Sequence, residues 1–127
     1  MKKKAIITLA DSNYYHMLIE LIDSINRHPE SKDISICVLD AGLTETQIKN
    51  IEKKVYKIEK ANWDIKVPKY KTLGKEWLKS QVSRAFLPNY FPEFEKYLWI
   101  DCDAWVNSWK CVELYFTACD NGKLGIT

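Results

Sequence analysis

The sequence lacks the features that mark several common classes of protein. Its formal net charge is only +2 over 127 residues, and its lysines are scattered apart from the run at positions 2–4, so nucleic-acid binding is not indicated. Its first apolar segment, at positions 5–10, stops at Asp11, which is too short for a signal peptide or a membrane span. No internal repeat or low-complexity segment is present. We therefore expect one globular domain without a transmembrane segment.

Cysteine and histidine are too few and too widely spaced to form a structural zinc site. No C-x-x-C pair occurs, and neither His16 nor His28 lies near a cysteine in the sequence. We expect free thiols in a reducing compartment and assign Cys37, in an apolar run, to the core. The cysteines are Cys37, Cys102, Cys111 and Cys119.

What the sequence does contain is an alternation of strand and helix patterns. Apolar runs predict strands at 4–10, 34–39, 55–61, 96–101 and 124–127, and helical spacing predicts helices from 14 to 28, 44 to 55, 75 to 87 and 110 to 118. The first helix should bury Tyr14 and Met17 with its later leucines and isoleucines, and the third should bury Ala85. The order predicts an α/β fold: a mostly parallel sheet with helices on both faces and ligands at the carboxyl ends of the strands.

The stretch "YLWIDCDAWV" ends an apolar run with two aspartates, Asp101 and Asp103. In an extended strand these two side chains share a face, with Cα atoms roughly 6–7 Å apart. Two carboxylates at that spacing suit Mg²⁺ or Mn²⁺, which would neutralise a diphosphate leaving group. The alternative is that both aspartates merely end a strand at a solvated turn.

Two further clusters follow the same logic. Asp11, Asn13 and Tyr14 come directly after the first strand, where free backbone N–H groups and a tyrosine ring would suit a nucleotide. Plain helix capping by Ser12 or Asn13, with Tyr14 in the core, is the alternative. Arg84 lies off the centre of its predicted helix's apolar face, and its guanidinium would suit a diphosphate unless it is simply a surface arginine.

Together, the segments "TLADSNYYHMLIELIDSINRH", "VLDAGLT" and "SRAFLPNYFPEFEKYLWIDCDAWV" resemble glycosyltransferase family 8 in order and spacing. This family of GT-A (Rossmann-like) enzymes includes glycogenin and bacterial lipopolysaccharide galactosyl- and glucosyltransferases. The resemblance implies transfer of a hexose from a UDP-sugar to a sugar, glycolipid or protein acceptor, with Mn²⁺ (or Mg²⁺) and with retention of configuration. It also implies a cytoplasmic enzyme, in some relatives peripheral at the membrane.

The resemblance also assigns roles to the residues singled out above. It implies that Asp11 contacts the uracil base, with Asn13 and Tyr14 beside it, and that Arg84 faces the donor's sugar and diphosphate. Asp40, in "VLDAG", matches a structural position.

For the metal, the resemblance implies that Asp101 touches both the ribose and the ion and that Asp103 is the second carboxylate ligand. A histidine that completes the metal site has no counterpart here, since neither His16 nor His28 matches it. We therefore expect residues 1–127 to be the nucleotide-sugar-binding half of a GT-A domain that is incomplete at its C-terminus. We also expect self-association through an exposed sheet edge. The resemblance identifies no catalytic residue, and the hexose stays open.

Three other classes of protein are alternatives to this interpretation. A receiver-type signalling domain has a similar length, but it needs adjacent acidic residues after the first strand, where Asp11 stands alone. A nucleotidyltransferase needs a glycine-rich phosphate loop near the first strand, and this chain has no glycine before Gly42. A non-catalytic nucleotide-sugar- or sugar-binding module is the alternative that these residues leave open.

Overall fold

A computed structural model describes residues 4–125, which build one four-stranded parallel sheet. The strands are β1 (Lys4–Ala10), β2 (Ser35–Asp40), β3 (Lys57–Lys60) and β4 (Lys96–Trp99), in the spatial order β3-β2-β1-β4. Every pairing among them is parallel, which confirms the predicted sheet type. β1 and β2 fall close to the predicted runs. β4 stops at Trp99, two residues before its predicted end.

The helices that connect and follow the strands are mostly short. They are α1 (Tyr15–Asn26), α2 (Glu45–Ile51), α3 (Lys69–Thr72), α4 (Lys79–Ser83), α5 (Leu87–Tyr90) and α6 (Trp109–Ala118). The predicted last strand at 124–127 does not form in its first half, because Leu124 and Gly125 have no regular structure, while residues 126 and 127 lie outside the described chain. Between residues 4 and 125, no helix has the length and apolar character needed to cross a membrane.

The two faces of the sheet are buried against different parts of the chain. Ile6 and Ala10 of β1 contact a cluster that α1 and α6 complete, and Ile7 and Leu9 contact a second cluster that contains Leu87 at the start of α5. Because successive strand residues point to opposite faces, a strand buried on both faces is apolar throughout. This explains why β1 and β2 are continuous apolar runs, and it confirms the prediction of cover on both faces.

Two details of the predicted helices were wrong. Tyr14 and Met17 were placed on the buried face of the first helix, but their side chains are 40% and 45% exposed. Leu18 is the first buried residue of α1, because the chain first makes a turn of 3-10 helix at Ser12–Tyr14. That turn leaves Tyr14 at the end of β1 rather than against the sheet.

The predicted helix at 75–87 is broken into short pieces. Turns of 3-10 helix at Glu76–Leu78 and Arg84–Phe86 flank α4, and α5 begins with Pro88 in its first turn. Proline has no N–H for the carbonyl four residues earlier, so a regular α-helix ends before it. Ala85 is exposed instead of buried, and Ser83 and Leu87 take the buried positions.

Candidate functional site

A cleft of about 260 Å³ opens at the carboxyl ends of β1 and β4. The chain proceeds from β1 to β2 and β3 on one side of the sheet, and β4 lies on the other side of β1. The strand order therefore reverses between β1 and β4, which is where open α/β sheets bind ligands. Of the predicted site residues, the cleft is lined by Asp11, Tyr14, Arg84, Asp101 and Asp103. Asn13 is exposed and does not line it.

Asp11 is held in place as the cap of the turn that follows β1. Its Oδ1 accepts hydrogen bonds from the backbone N–H groups of Asn13, at 2.9 Å, and Tyr14, at 3.2 Å. The sequence offers three capping residues here, Asp11, Ser12 and Asn13, and Asp11 is the one that caps the turn. Because Oδ1 is committed to the turn, Oδ2 is the Asp11 oxygen left for a ligand.

A second turn, after β2, supports the first. Oδ1 of Asp40 accepts from the backbone N–H groups of Gly42, at 2.8 Å, and Leu43, at 2.6 Å, in agreement with its predicted structural role. Gly42 has φ +137°, and its carbonyl accepts from Ser12 N at 3.1 Å. A Cβ on Gly42 would lie 3.6 Å from Cβ of Asp11, and its φ is one that only glycine adopts readily. The Asp40 turn therefore fixes the backbone that carries Asp11.

Arg84, Trp99 and Asp101 form one connected group on the β4 side of the cleft. Oδ1 of Asp101 accepts from Nη2 of Arg84 at 2.9 Å and from Nε1 of Trp99 at 2.8 Å. The Arg84 guanidinium carbon also lies 4.9 Å from the centroid of the Trp99 ring, a cation–π distance. Arg84 is thus not an isolated surface arginine. Trp99 was missed from the sequence, because a tryptophan inside an apolar strand looks like a core residue.

The two aspartates of the D-x-D pair lie on a turn, not on an extended strand. β4 ends at Trp99, and the backbone N–H of Ala104 donates to the carbonyl of Asp101 at 3.0 Å. The predicted shared strand face for Asp101 and Asp103 is therefore wrong, although both side chains reach the cleft. The backbone N–H of Ile100, just after β4, still donates to the carbonyl of Ile7 at 3.0 Å, so the chain leaves the sheet directly before Asp101.

Cys102, between the two aspartates, reports the electrostatic character of this turn. Burial, the largest cause, and the negative charges of Asp103, Asp101 and, to a smaller extent, Asp11 together raise the pKa of its thiol to about 11. A thiol that stays protonated is a poor nucleophile and a poor metal ligand. The same three carboxylates make the cleft attractive to cations.

The chain beyond this turn is fixed to α1 by hydrogen bonds to the backbone of Val106. The N–H of Val106 donates to the buried Oγ of Ser24 at 3.0 Å. Its carbonyl accepts from Nε2 of His28 at 3.0 Å and from Arg27 at 3.5 Å. His28 therefore has a structural task, which no local pattern in the sequence signals.

The donor set fits a hard divalent cation only in part. Asp101 and Asp103 supply carboxylate oxygens, and Asp103 is exposed with no hydrogen bond to any residue between 4 and 125. In the same described part of the chain, no three Asp, Glu, His or Cys side chains are grouped closely enough to hold a metal. Mg²⁺ and similar ions usually bind through one or two carboxylates and complete their shell with water and phosphate oxygens. The pair fits that mode of binding.

Comparison with known proteins relates this chain to a family and to two solved structures. The model of the family described as "Glycosyl transferase family 8" matches residues 5–123. Among solved structures, the chain resembles "Crystal structure of S. aureus TarS" with a TM-score of 0.55 and "Crystal structure of S. aureus TarS 1-349" with a TM-score of 0.51, each at 15% identity. Each covers 98% of this chain, which spans 23% and 38% of the two proteins. At that identity the likeness establishes the fold alone. A comparison with curated proteins gives no match.

Proposed function

The chain belongs to glycosyl transferase family 8. On that premise, we propose that it binds the UDP-sugar donor of a reaction that transfers a hexose from this donor to an acceptor. The observation that carries the proposal is the meeting of Asp11, Arg84 and the Asp101–Asp103 turn at one cleft. These side chains come from three separate parts of the sequence, and each offers the chemistry that one part of a nucleotide sugar requires.

The β1 side of the cleft suits the uracil base. Tyr14 lines the cleft with a partly exposed ring, on which a base can stack. Uracil carries an N–H at N3 that can donate to a carboxylate, and Oδ2 of Asp11 is the acceptor we assign to it. Cytosine has an unprotonated acceptor nitrogen at N3, so the same carboxylate disfavours it. Asp11 therefore selects for uridine nucleotides in this proposal.

The β4 side suits the diphosphate and the hexose. Arg84 has a planar guanidinium with several donors, which matches phosphate oxygens well. It lies beside Asp101, so a diphosphate that contacts Arg84 also lies near the carboxylates. The negatively charged diphosphate and the negatively charged carboxylates can lie this close together only if a positive charge lies between them.

Asp101 and Asp103 are the residues that would hold a divalent cation, as members of the family generally use one. The bound ion, Mn²⁺ or Mg²⁺, would neutralise the diphosphate and make UDP a better leaving group. In the proposed reaction the bond between the anomeric carbon and the UDP oxygen breaks, the acceptor hydroxyl oxygen bonds to that carbon with retention of configuration, and the hydroxyl proton passes to the departing UDP phosphate oxygen. Asp101 would also accept from a ribose hydroxyl.

Further parts of the proposal concern the setting of the reaction. The acceptor is a sugar, glycolipid or protein, and polysaccharide or lipopolysaccharide synthesis in bacteria is the process we propose. The free thiols of Cys102, Cys111 and Cys119 favour the cytoplasm, with attachment at the membrane surface where the acceptor is a glycolipid. β4 is an edge of the sheet that residues 4–125 form, so copies can associate through it.

Isothermal titration with UDP and Mn²⁺ tests the proposal. We expect binding of UDP that requires Mn²⁺ and that is clearly weaker for CDP. An Asp103→Asn variant should need a higher concentration of Mn²⁺ to bind UDP. No heat of binding at millimolar UDP and Mn²⁺ would overturn the proposal, and equal affinity for UDP and CDP would overturn the role of Asp11. Transfer or hydrolysis of radiolabelled UDP-hexose tests the activity itself.

A further inference from the structure

Trp99 connects the core of the sheet to the cleft. Its ring packs against the second core cluster, and its backbone is paired with Ile7 of β1. At the cleft, its indole N–H donates to Oδ1 of Asp101 at 2.8 Å, and its ring lies under the guanidinium of Arg84. One side chain thus contacts both Arg84, which the proposed function assigns to the diphosphate, and Asp101, which it assigns to the cation.

The two donors to Oδ1 of Asp101 differ in what they do when ligands bind. Arg84 is a charged, flexible side chain that is 41% exposed, so a cation at Asp101 repels it and a diphosphate attracts it. Trp99 is neutral, has only two side-chain torsions and is anchored in β4. A cation therefore leaves the Trp99 bond intact while it weakens the Arg84 bond.

We propose that Trp99 is a positioning residue of the donor site, an inference that rests on the proposed function. Its indole N–H holds Oδ1 of Asp101, so that Oδ2 is presented to the cation when Arg84 turns toward the diphosphate. Its ring supports the guanidinium in both arrangements. The indole nitrogen can donate a hydrogen bond but cannot accept one. In this bond the Asp101 carboxylate is therefore always the acceptor.

The position of Trp99 in the strand explains why it can act in this way. Its partner in the sheet, Ile7, lies in the strand that leads to Asp11. The core packing of Trp99 therefore sets Asp101 at a fixed place relative to the opposite wall of the cleft. A phenylalanine would fill most of the same space, but Oδ1 of Asp101 would then keep its hydrogen bond from Arg84 and lose the one from the indole.

The test is Trp99→Phe, which removes the N–H and keeps a ring. We expect the affinity for Mn²⁺ in the presence of UDP to fall about three- to tenfold, the effect of losing one hydrogen bond, with little change in the denaturation midpoint. The matched control is Trp105→Phe, since Trp105 is exposed and lies outside the cleft. Equal Mn²⁺ affinity in Trp99→Phe and the wild type would overturn the inference, provided that the wild type binds both ligands.

A second measurement does not depend on Trp99 being replaceable. The chain has five tryptophans, so it gives five indole N–H resonances by nuclear magnetic resonance, and Asp101→Asn should move the resonance of Trp99. Mg²⁺ with UDP should leave that resonance hydrogen-bonded and slow to exchange. Fast exchange with water in the ligand-bound protein would overturn the inference. A wild type that binds neither UDP nor Mn²⁺ would instead overturn the proposed function.

Discussion

The guanidinium of Arg84 lies 2.9 Å from Oδ1 of Asp101, so a proposed diphosphate ligand and a proposed metal ligand form an ion pair with each other. A cation that binds Asp101 must compete with Arg84. A diphosphate offers Arg84 another partner and so removes the competitor. The arrangement couples the two binding events, and the coupling must act equally in both directions.

Replacing Arg84 by glutamine should raise the affinity of the protein for Mn²⁺ alone. Both partners of the ion pair are well exposed, so the gain is small, up to about fivefold. The affinity for UDP with Mn²⁺ should fall, because the diphosphate loses its cationic partner. Titration calorimetry of both ligands measures the two effects, with Lys53→Gln, an exposed change of equal charge, as the control. Weaker binding of Mn²⁺ alone would contradict the coupling.

Replacing Asp103 by asparagine should weaken Mn²⁺ binding by about tenfold or more, because the site loses one of its two carboxylates. The stability of the protein should not change, since Asp103 is exposed. Asp33→Asn, at an exposed carboxylate outside the cleft, controls for the loss of one negative charge. If both variants bind Mn²⁺ equally well, Asp103 is not a ligand.

Replacing Tyr14 by alanine should weaken UDP binding by about tenfold, the usual effect of losing one stacked base. Tyr14→Phe should bind nearly as well as the wild type, because it keeps the aromatic face. Tyr70→Ala is the control, since Tyr70 is 79% exposed and lies outside the cleft. The measurement is displacement of a fluorescent UDP analogue. Equal affinities for all the variants would show that the base lies elsewhere.

Replacing Ser24 by alanine should destabilise the protein by about 1–3 kcal/mol, because the buried N–H of Val106 loses its acceptor. Urea denaturation measures this change. Exchange of the Val106 amide hydrogen should also become faster. Ser108→Ala is a suitable control, since the Ser108 side chain makes no capping hydrogen bond to α6. An unchanged amide exchange rate would mean that Ser24 does not fix this segment.

The stability of the protein should fall at high pH, and Tyr97 should account for part of the fall. Burial, and then the charge of Glu93, raise the pKa of Tyr97 above its ordinary value of 10.0. Since the folded state favours the neutral phenol, this contribution is present in full below pH 10 and is lost as pH rises through the folded pKa. Tyr97→Phe should reduce the pH dependence of unfolding in that range.

The same Tyr97→Phe variant should be less stable at neutral pH by about 1 kcal/mol, the value of an average hydrogen bond. The Tyr97 hydroxyl lies 2.6 Å from the carbonyl oxygen of Phe91 and 3.0 Å from that of Phe94. Tyr70→Phe, at an exposed phenol, should change neither quantity. A wild-type stability that is flat above pH 10 would contradict the prediction.

Patterns that depend on neighbouring residues were predicted correctly. Helix α2 begins beside the predicted position 44, where Thr44 and Gln47 form a capping box, and the apolar runs of β1 and β2 are buried strands. The break in the helix around Arg84 was not predicted, because the apolar residues there have helical spacing. How far the helix extends is set instead by Pro88 and by packing against the sheet. The burial of Tyr14 was wrong for a similar reason, since Asp11 starts a 3-10 turn there.

Local patterns of apolar and capping residues are enough to predict strands β1 to β4, the parallel sheet and the acidic residues just after strands. The tertiary structure places β4 beside β1, which brings Asp101 and Asp11 to one cleft. It also made Trp99 part of the site and turned the chain at Asp101. These features rest on contacts between residues far apart in the chain, such as Ser24 and Val106, and such contacts have no periodic signature in a single sequence.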